Sequence, residues 1–580
     1  EGGGLGLQAG VTAEIRFADF GGNQAANGGG LANNGGNVSL FGVTIADGNA
    51  TTGAGFAQLS GATTITNSTI SGNTATGPGG GIYNDRGSLD VRSSTIAQNA
   101  AATGGGFELS PLGTAAVGNT IVAGNTATLS GADVSASFGG LNSNGFNLIA
   151  AGGPGFTAGA NNDLVGTPGA PINAMLGALQ DNGGGTRTHT PLAGSPAIDA
   201  GDNSEVSRVT DQRGVPRQLN GGTSLTVDIG AFETGFNGFF VNITEDTVDA
   251  TPGNGIASDA QGDTSLRAAI QEANALPGKQ TIVLPAGDYA LSLFGAGEDV
   301  SASGDLDITD DLAIQGQGYD ATLIDGLQQD RIFDINQTTV SLNDLQISNG
   351  ATTGQLNAAG GGIRIADSSV TLNRTQFMNN RTPDRGGAIF DMNSGPPATL
   401  IVNDSHFIIS QAADGGAIYT INGVVNINDT RIHDSQANTG SGGAIHSRDG
   451  QLTVTGSEID FGKAFSGKGG AIFSDQQGGG ISSGFVTVID SRITDSEANS
   501  GGAIHGNGDD ITITGSVIAF NTTVDGDGGA LDNVGGILTI SKSQISDNRI
   551  DGQSSARGGA IATSGQGSML TITDSMISNN

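Results

Sequence analysis

The chain has 580 residues, with 56 Asp and Glu against 22 Lys and Arg for a formal net charge of −34, and it contains 101 Gly, no Cys and no Trp. Strong acidity without a basic stripe excludes nucleic acid as a partner, and the lack of cysteine excludes disulfides, thiolate zinc sites and Cys nucleophiles. No apolar run is long enough to be a transmembrane helix.

Residues 1–141 repeat one pattern. A large apolar residue follows a glycine cluster at Leu5, Leu31, Phe56, Ile82 and Phe107, with gaps of 26, 25, 26 and 25. After an interruption the pattern returns as Gly-Gly-Ala-Ile or a close variant. Its apolar residue stands at Ile363, Ile389, Ile418, Ile445, Ile472, Ile504, Leu531 and Ile561, with gaps of 26, 29, 27, 27, 32, 27 and 30. A fixed period of this length marks stacked supersecondary units rather than one globular core.

Inside each unit the period is two. Thr453-Val454-Thr455 and Ile511-Thr512-Ile513-Thr514 alternate apolar with β-branched polar residues, as a strand with one buried face does. No helix-period segment recurs, which excludes leucine-rich, ankyrin and tetratricopeptide repeats, and the units are short for a four-stranded propeller blade. The pattern predicts an all-β, right-handed parallel β-helix (β-solenoid) of about 25–30 residues per coil, interrupted by a loop-rich closing module and a short capping helix. Asn73, Asn99, Asn125, Asn349, Asn380, Asn521, Asn548 and Asn580 recur after Ile-x-x or a related triplet. They are read as a structural ladder of stacked carboxamides that also tolerates left-handed backbone.

Residues 142–233 break the cadence. Pro168, Pro171, Pro191, Pro196 and Pro216 punctuate them, so a loop-rich end structure covering an open edge is expected. The strings LGALQDNGGG, SPAIDAG, DQRG (Asp211–Gly214) and DIGAFE (Asp228–Glu233) stand in the order of the closing module of bacterial choice-of-anchor Q proteins, which they resemble. Those proteins are relatives of polymorphic outer-membrane-protein repeats. The resemblance implies a surface-associated parallel β-helix.

Residues 234–293 resemble the CSLREA domain that opens bacterial surface β-helices, with Thr264-Ser265-Leu266-Arg267-Ala268-Ala269 at the signature. The family's cysteine is Thr264, and its usual partner near Ala257 is absent, so a disulfide carried by relatives is missing. Thr264 or Ser265 is expected to cap a helix that runs through Ala275 and ends at Leu276-Pro277-Gly278. Its face of Leu266, Ala269, Ile270 and Ala273 would plug the stack, and Ile282-Val283-Leu284 would open the first coil.

Residues 294–580 are coils again, and they hold the candidate sites. Phe390, Tyr419, His446, Phe473 and His505 share the slot after Gly-Gly-Ala-Ile and are read as an exposed ladder for stacking on glycans. Asp299, Asp305, Asp307 and Asp310 are a candidate Ca²⁺ group, because Asp305 and Asp307 share one strand face; a solvated strand face is the bland alternative. No cofactor is required and no catalytic residue is assigned.

The distance from Ile561 to Asn580 is 19 residues and Leu5 lies five further on, so joining end to start gives 24, the length of a coil. The chain is therefore expected to be an extracellular or cell-surface structural solenoid, a repeat unit or subunit of a filament or large adhesin. Its partners would be copies of itself head to tail, and cell-surface or matrix polysaccharide. The competing reading is a secreted polysaccharide-binding or polysaccharide-degrading β-helix, a lyase or hydrolase.

Overall fold

The computed structural model describes residues 1–580 apart from 137–139, 205–209, 216, 218–225, 296, 353–357, 396–397, 477–483 and 553–555. Pro216 thus lies outside the described residues. The chain forms two units, Glu1–Asn237 and Gly238–Asn580.

Each unit is a parallel β-solenoid. In the first, the described strands form sheets of 10, 5 and 7 strands; in the second, sheets of 12, 11, 10 and 6. Successive strands of a sheet come from successive coils, and the apolar markers read from the sequence stack in register. Leu5 pairs with Leu31, Leu31 with Phe56, Phe56 with Ile82 and Ile82 with Phe107. In the second unit Phe333 pairs with Ile363, Ile363 with Ile389, and the series continues to Ile561.

The pleat explains the alternation. In the strand Gln451–Thr455, Leu452 and Val454 are buried while Gln451, Thr453 and Thr455 face outward. The inward residues of neighbouring coils merge into one apolar column in each unit. Each buried aliphatic contributes roughly 1.5–3 kcal/mol, so a coil is stable only between its neighbours. The paired glycines have a specific cause. Gly386 sits at φ +64, where a Cβ would strike the Ile389 carbonyl, and a Cβ on Gly387 would strike the Gly416 carbonyl of the next coil.

The helix Leu266–Ala275 lies where its capping signals place it. Ser265 Oγ accepts from Ala268 N at 3.0 Å, and Leu276 terminates the helix in extended backbone before Pro277. Leu266, Ala269, Ile270 and Ala273 join the core of the second unit, and the helix packs on the strands Gly238–Phe240, Gln280–Val283 and Leu306–Ile308. Its Arg267 is fully buried, paired with Asp246 at 2.6 Å, and donates to the carbonyls of Ser301, Gly304 and Asp305.

The loop-rich segment of the first unit does more than close an end. Its first part ends the stack, where Leu164-Val165 pairs with Leu148-Ile149 and Phe156 packs against the core. Arg187, Gln212 and Ala231 of its later part lie on the outward face of the seven-stranded sheet. Thr44, Thr69 and Thr95 are register partners in that sheet. Thr44 Oγ1 donates to Arg187 O at 2.6 Å, Thr69 Oγ1 donates to Gln212 Oε1 at 2.6 Å, and Thr95 Oγ1 accepts from Ala231 N at 3.1 Å. Outward hydroxyls spaced one per coil supply polar anchors that an extended chain can follow.

Candidate functional site

The slot after Gly-Gly-Ala-Ile forms one continuous column in the second unit. Asp307, Asp334, Arg364, Phe390, Tyr419, His446, Phe473, His505 and Asp532 are register partners, one per coil. Ring centroids are 5.9 Å apart between Phe390 and Tyr419, 4.4 Å between Tyr419 and His446, 4.7 Å between His446 and Phe473, and 5.5 Å between Phe473 and His505. The rings are in contact, but only Phe473 and His505 stack, at 29°; the first two pairs are tilted and His446 meets Phe473 edge-on at 80°.

The predicted exposure is absent. Phe390 is 6% exposed, Tyr419 0%, His446 2%, Phe473 8% and His505 1%. The isoleucine of the motif points into the core, so the next residue points outward, but charged side chains close over it. Arg385 and Arg448 lie over the Tyr419 ring at 5.3 and 5.5 Å. Asp475 is 3.0 Å from His446 Nε2, Asp414 is 3.6 Å from His446 Nδ1, and Asp532 is 3.0 Å from His505 Nδ1. Burial pushes the Tyr419 hydroxyl up to about 12 and the His505 imidazole down. Tyrosine, histidine, carboxylates and guanidinium groups are the materials of acid–base chemistry on a sugar. Here their rings are buried, so the column presents no exposed face for stacking on a glycan.

The carboxylates at the start of the column regroup. Asp305, Asp307 and Asp334 bring oxygens within 4.8 Å of one another, and among the described residues this is the group able to hold a metal ion. Asp299 is exposed and Asp310 caps Asp311 N at 2.7 Å, so neither joins the group. Asp334 enters from the next coil, through the pairing Asp307–Asp334. Two guanidinium groups already lean on the group, Arg331 on Asp305 at 3.0 Å and Arg364 on Asp334 at 2.8 Å. Burial, reinforced by Asp330, pushes Asp305 up to about 8, and burial pushes Asp307 up to about 7.

The asparagine column is a hydrogen-bond ladder inside the solenoid wall. Asn73 N and Nδ2 both donate to Asn99 Oδ1, at 3.0 and 2.9 Å, and Asn99 does the same to Asn125. Asn125 Nδ2 donates to Asp133, where the ladder ends. In the second unit Asn380 Oδ1 accepts from Gly350 N, Asn521 donates to Asn548, and Asn548 donates to Asn580. The left-handed backbone falls one residue before the ladder, at Gly72, Gln98, Gly124, Asn379, Phe520 and Asp547. Asn349 is itself left-handed, so it belongs to the outer corner. It accepts from Asn379 at 2.7 Å and donates to Asp325, while Gly350 holds its coil's inner slot.

Sequence reasoning missed a buried ionic knot in the first unit. Asp211 pairs with Arg213 at 2.7 Å, and Arg213 also lies 3.4 Å over the Phe232 ring. Arg217 is 3.5 Å from Glu233 and donates to Gly230 O at 2.7 Å and to Asn67 Oδ1 at 3.0 Å, tying the flanking segment to the coils. Burial, with Asp228 nearby, pushes Glu233 up to about 8 against the pull of Arg217. The signal was available: Asp-Gln-Arg-Gly and Asp-Ile-Gly-Ala-Phe-Glu hold opposite charges within apolar strings. A recess of about 590 Å³ lies between Ala97, Ala123 and Ala150 and Pro168, Pro171 and Met175 of the segment.

Residues 67–85 match the Chlamydia polymorphic membrane protein repeat. This stretch holds Asn73 of the ladder and the turn into Ile82. No curated protein matches the chain. Among solved structures, the Azotobacter vinelandii mannuronan C-5 epimerase AlgE6 A-module is similar at 14% identity over 58% of this chain and 97% of that one, with a TM-score of 0.29. No helix among the described residues is long and apolar enough to cross a membrane. Within residues 67–85 the chain is thus similar to a polymorphic membrane protein repeat, set in a parallel β-solenoid.

Proposed function

We propose that the chain is an extracellular structural solenoid of a bacterial surface filament or large adhesin, with no catalytic role. The observation that carries this reading is the closed column. The side chains best suited to chemistry are packed ring against ring and covered by Arg385, Arg448 and the aspartates, so they contribute to coil cohesion. The Asp334–Arg364 pair within the column fits the same role.

The partners in this reading are copies of the chain stacked head to tail, the coil at Leu5 continuing the register of the coil at Ile561. In such a stack the inward residues of the outermost coil, Leu570, Ile572 and Ile577, would line the contact. Sedimentation velocity across a concentration series is expected to show end-to-end growth that Ile572→Lys with Ile577→Lys abolishes. A single species at every concentration would count against it.

The second reading, a polysaccharide-degrading β-helix, draws on Tyr419, His446, Asp475 and Arg448 lying together. Release of new reducing or unsaturated ends from pectin or alginate, lost in Tyr419→Phe, would favour it over the scaffold.

A further inference from the structure

One outer corner of the second unit carries side chains that its backbone does not favour. Ile409, Asp434, Phe461, Asp495, Phe520 and Asp547 occupy this corner in six successive coils, with φ of 54, 49, 55, 56, 61 and 58. Backbone bonds hold them in one column: Ile409 N donates to His433 O, Phe461 N to Thr494 O and Phe520 N to Ser546 O. Aspartate enters the left-handed region readily, whereas a β-branched or aromatic residue there is a genuine outlier. Packing does not require the bulk, because Ile409 is 42% exposed, Phe461 43% and Phe520 51%. Apart from an edge-on contact of Phe461 with the His433 ring at 5.4 Å, the strain is kept on side chains open to solvent, which points to an external contact.

The order of the residues narrows the occupant. Apolar and acidic side chains alternate strictly, so Phe461 and Phe520 stand two coils apart, about 9.5 Å along the stack. That step is close to the length of one disaccharide in an extended β-1,4-linked chain. The apolar face of a sugar stacks on an aromatic ring, and its hydroxyls donate to a carboxylate. A polyanion is excluded by the aspartates between the rings and by the chain's net charge of −34.

We propose that this corner of the second unit binds a neutral, extended β-linked polysaccharide running along the coil stack. The inference deepens the surface reading but does not depend on end-to-end stacking, since the column lies wholly within one unit. It relocates glycan binding from the buried Tyr419 column to an open one.

Co-sedimentation with microcrystalline cellulose and with chitin tests it, with pectate as the charged control. The native chain and the Ile572→Lys, Ile577→Lys chain are expected to be depleted alike by a neutral polymer and not by pectate, which separates this inference from the stacking one. Phe461→Asn with Phe520→Asn is expected to weaken binding about tenfold or more. Asn favours the left-handed corner, so the melting temperature should hold or rise. No depletion by either neutral polymer overturns the proposal, as does unchanged binding in the double variant or equal depletion by pectate. Retention on phenyl-agarose alone would assign the corner to an apolar partner instead, and a lower melting temperature in the Asn variant would remove the strain argument.

Discussion

The two solenoids treat the same flank in opposite ways. In the first unit the outward positions of the third strand are small or apolar, Thr44, Thr69, Thr95 and Ile121, and Arg187, Gln212, Gly230 and Ala231 cover them. In the second unit the matching strands place His406, Arg431, Glu458 and Arg492 outward, and these groups meet solvent or one another. The inward residues hardly differ: Ile45, Ile70 and Ile96 in one unit, Ile432, Ile459 and Ile493 in the other. Outward residues therefore decide whether a coil is clothed by its own chain or left to face other molecules.

The sharpest way to break this contrast is Arg217→Met. It leaves Glu233, Asp228 and Asp211 buried with one less countercharge, and a loss of about 3–5 kcal/mol is expected for a broken buried pair. Hydrogen exchange in Thr69–Ser71 and Thr95–Ala97 should report it, with the second unit unchanged. Asn99→Ala probes what both units share. It removes the acceptor for Asn73 N and Nδ2 and should cost about 1–3 kcal/mol, read as a lower denaturation midpoint.

The pH response should appear in both units. Glu233 rises from an ordinary 4.5 to about 8, and Asp305 and Asp307 rise from 3.8 to about 8 and 7. An acid whose pKa is raised on folding binds more protons in the native state between its unfolded and folded values. Stability from these groups therefore falls as pH rises from about 4 to 8. Melting temperature should be higher at pH 5 than at pH 8, and Glu233→Gln should flatten only the first unit's share. The smallest effect belongs to the open flank. Arg431→Ala breaks a pair with Asp460 at 2.7 Å, but the guanidinium is 48% exposed, so less than about 1 kcal/mol is expected. A loss as large as that of Arg217→Met would erase the distinction between the flanks.

Much of the fold was legible residue by residue. The coil period, the inward isoleucines, the paired glycines and the helix between Ser265 and Pro277 depend on the chain's local chemistry repeated at fixed spacing. So does the asparagine ladder, apart from Asn349, where the triplet rule cannot tell an inner slot from the corner one residue earlier. The sites were less legible. A column of Phe, Tyr and His reads alike whether solvent or Arg385 and Arg448 lie above it.

The amino-acid sequence by itself determined that this protein is a stack of parallel coils and which residues fill its interior, because strand alternation and turn geometry act over a few residues and recur in every coil. Only the tertiary structure decided that Arg187, Gln212 and Ala231 clothe a flank, that the Tyr419 column is sealed, that Asp334 and not Asp299 or Asp310 joins Asp305 and Asp307, and that Phe461 and Phe520 are exposed. Each of these depends on which side chain one coil presents to another segment folded against it, and that choice is made by three-dimensional contact, where local propensity carries no information.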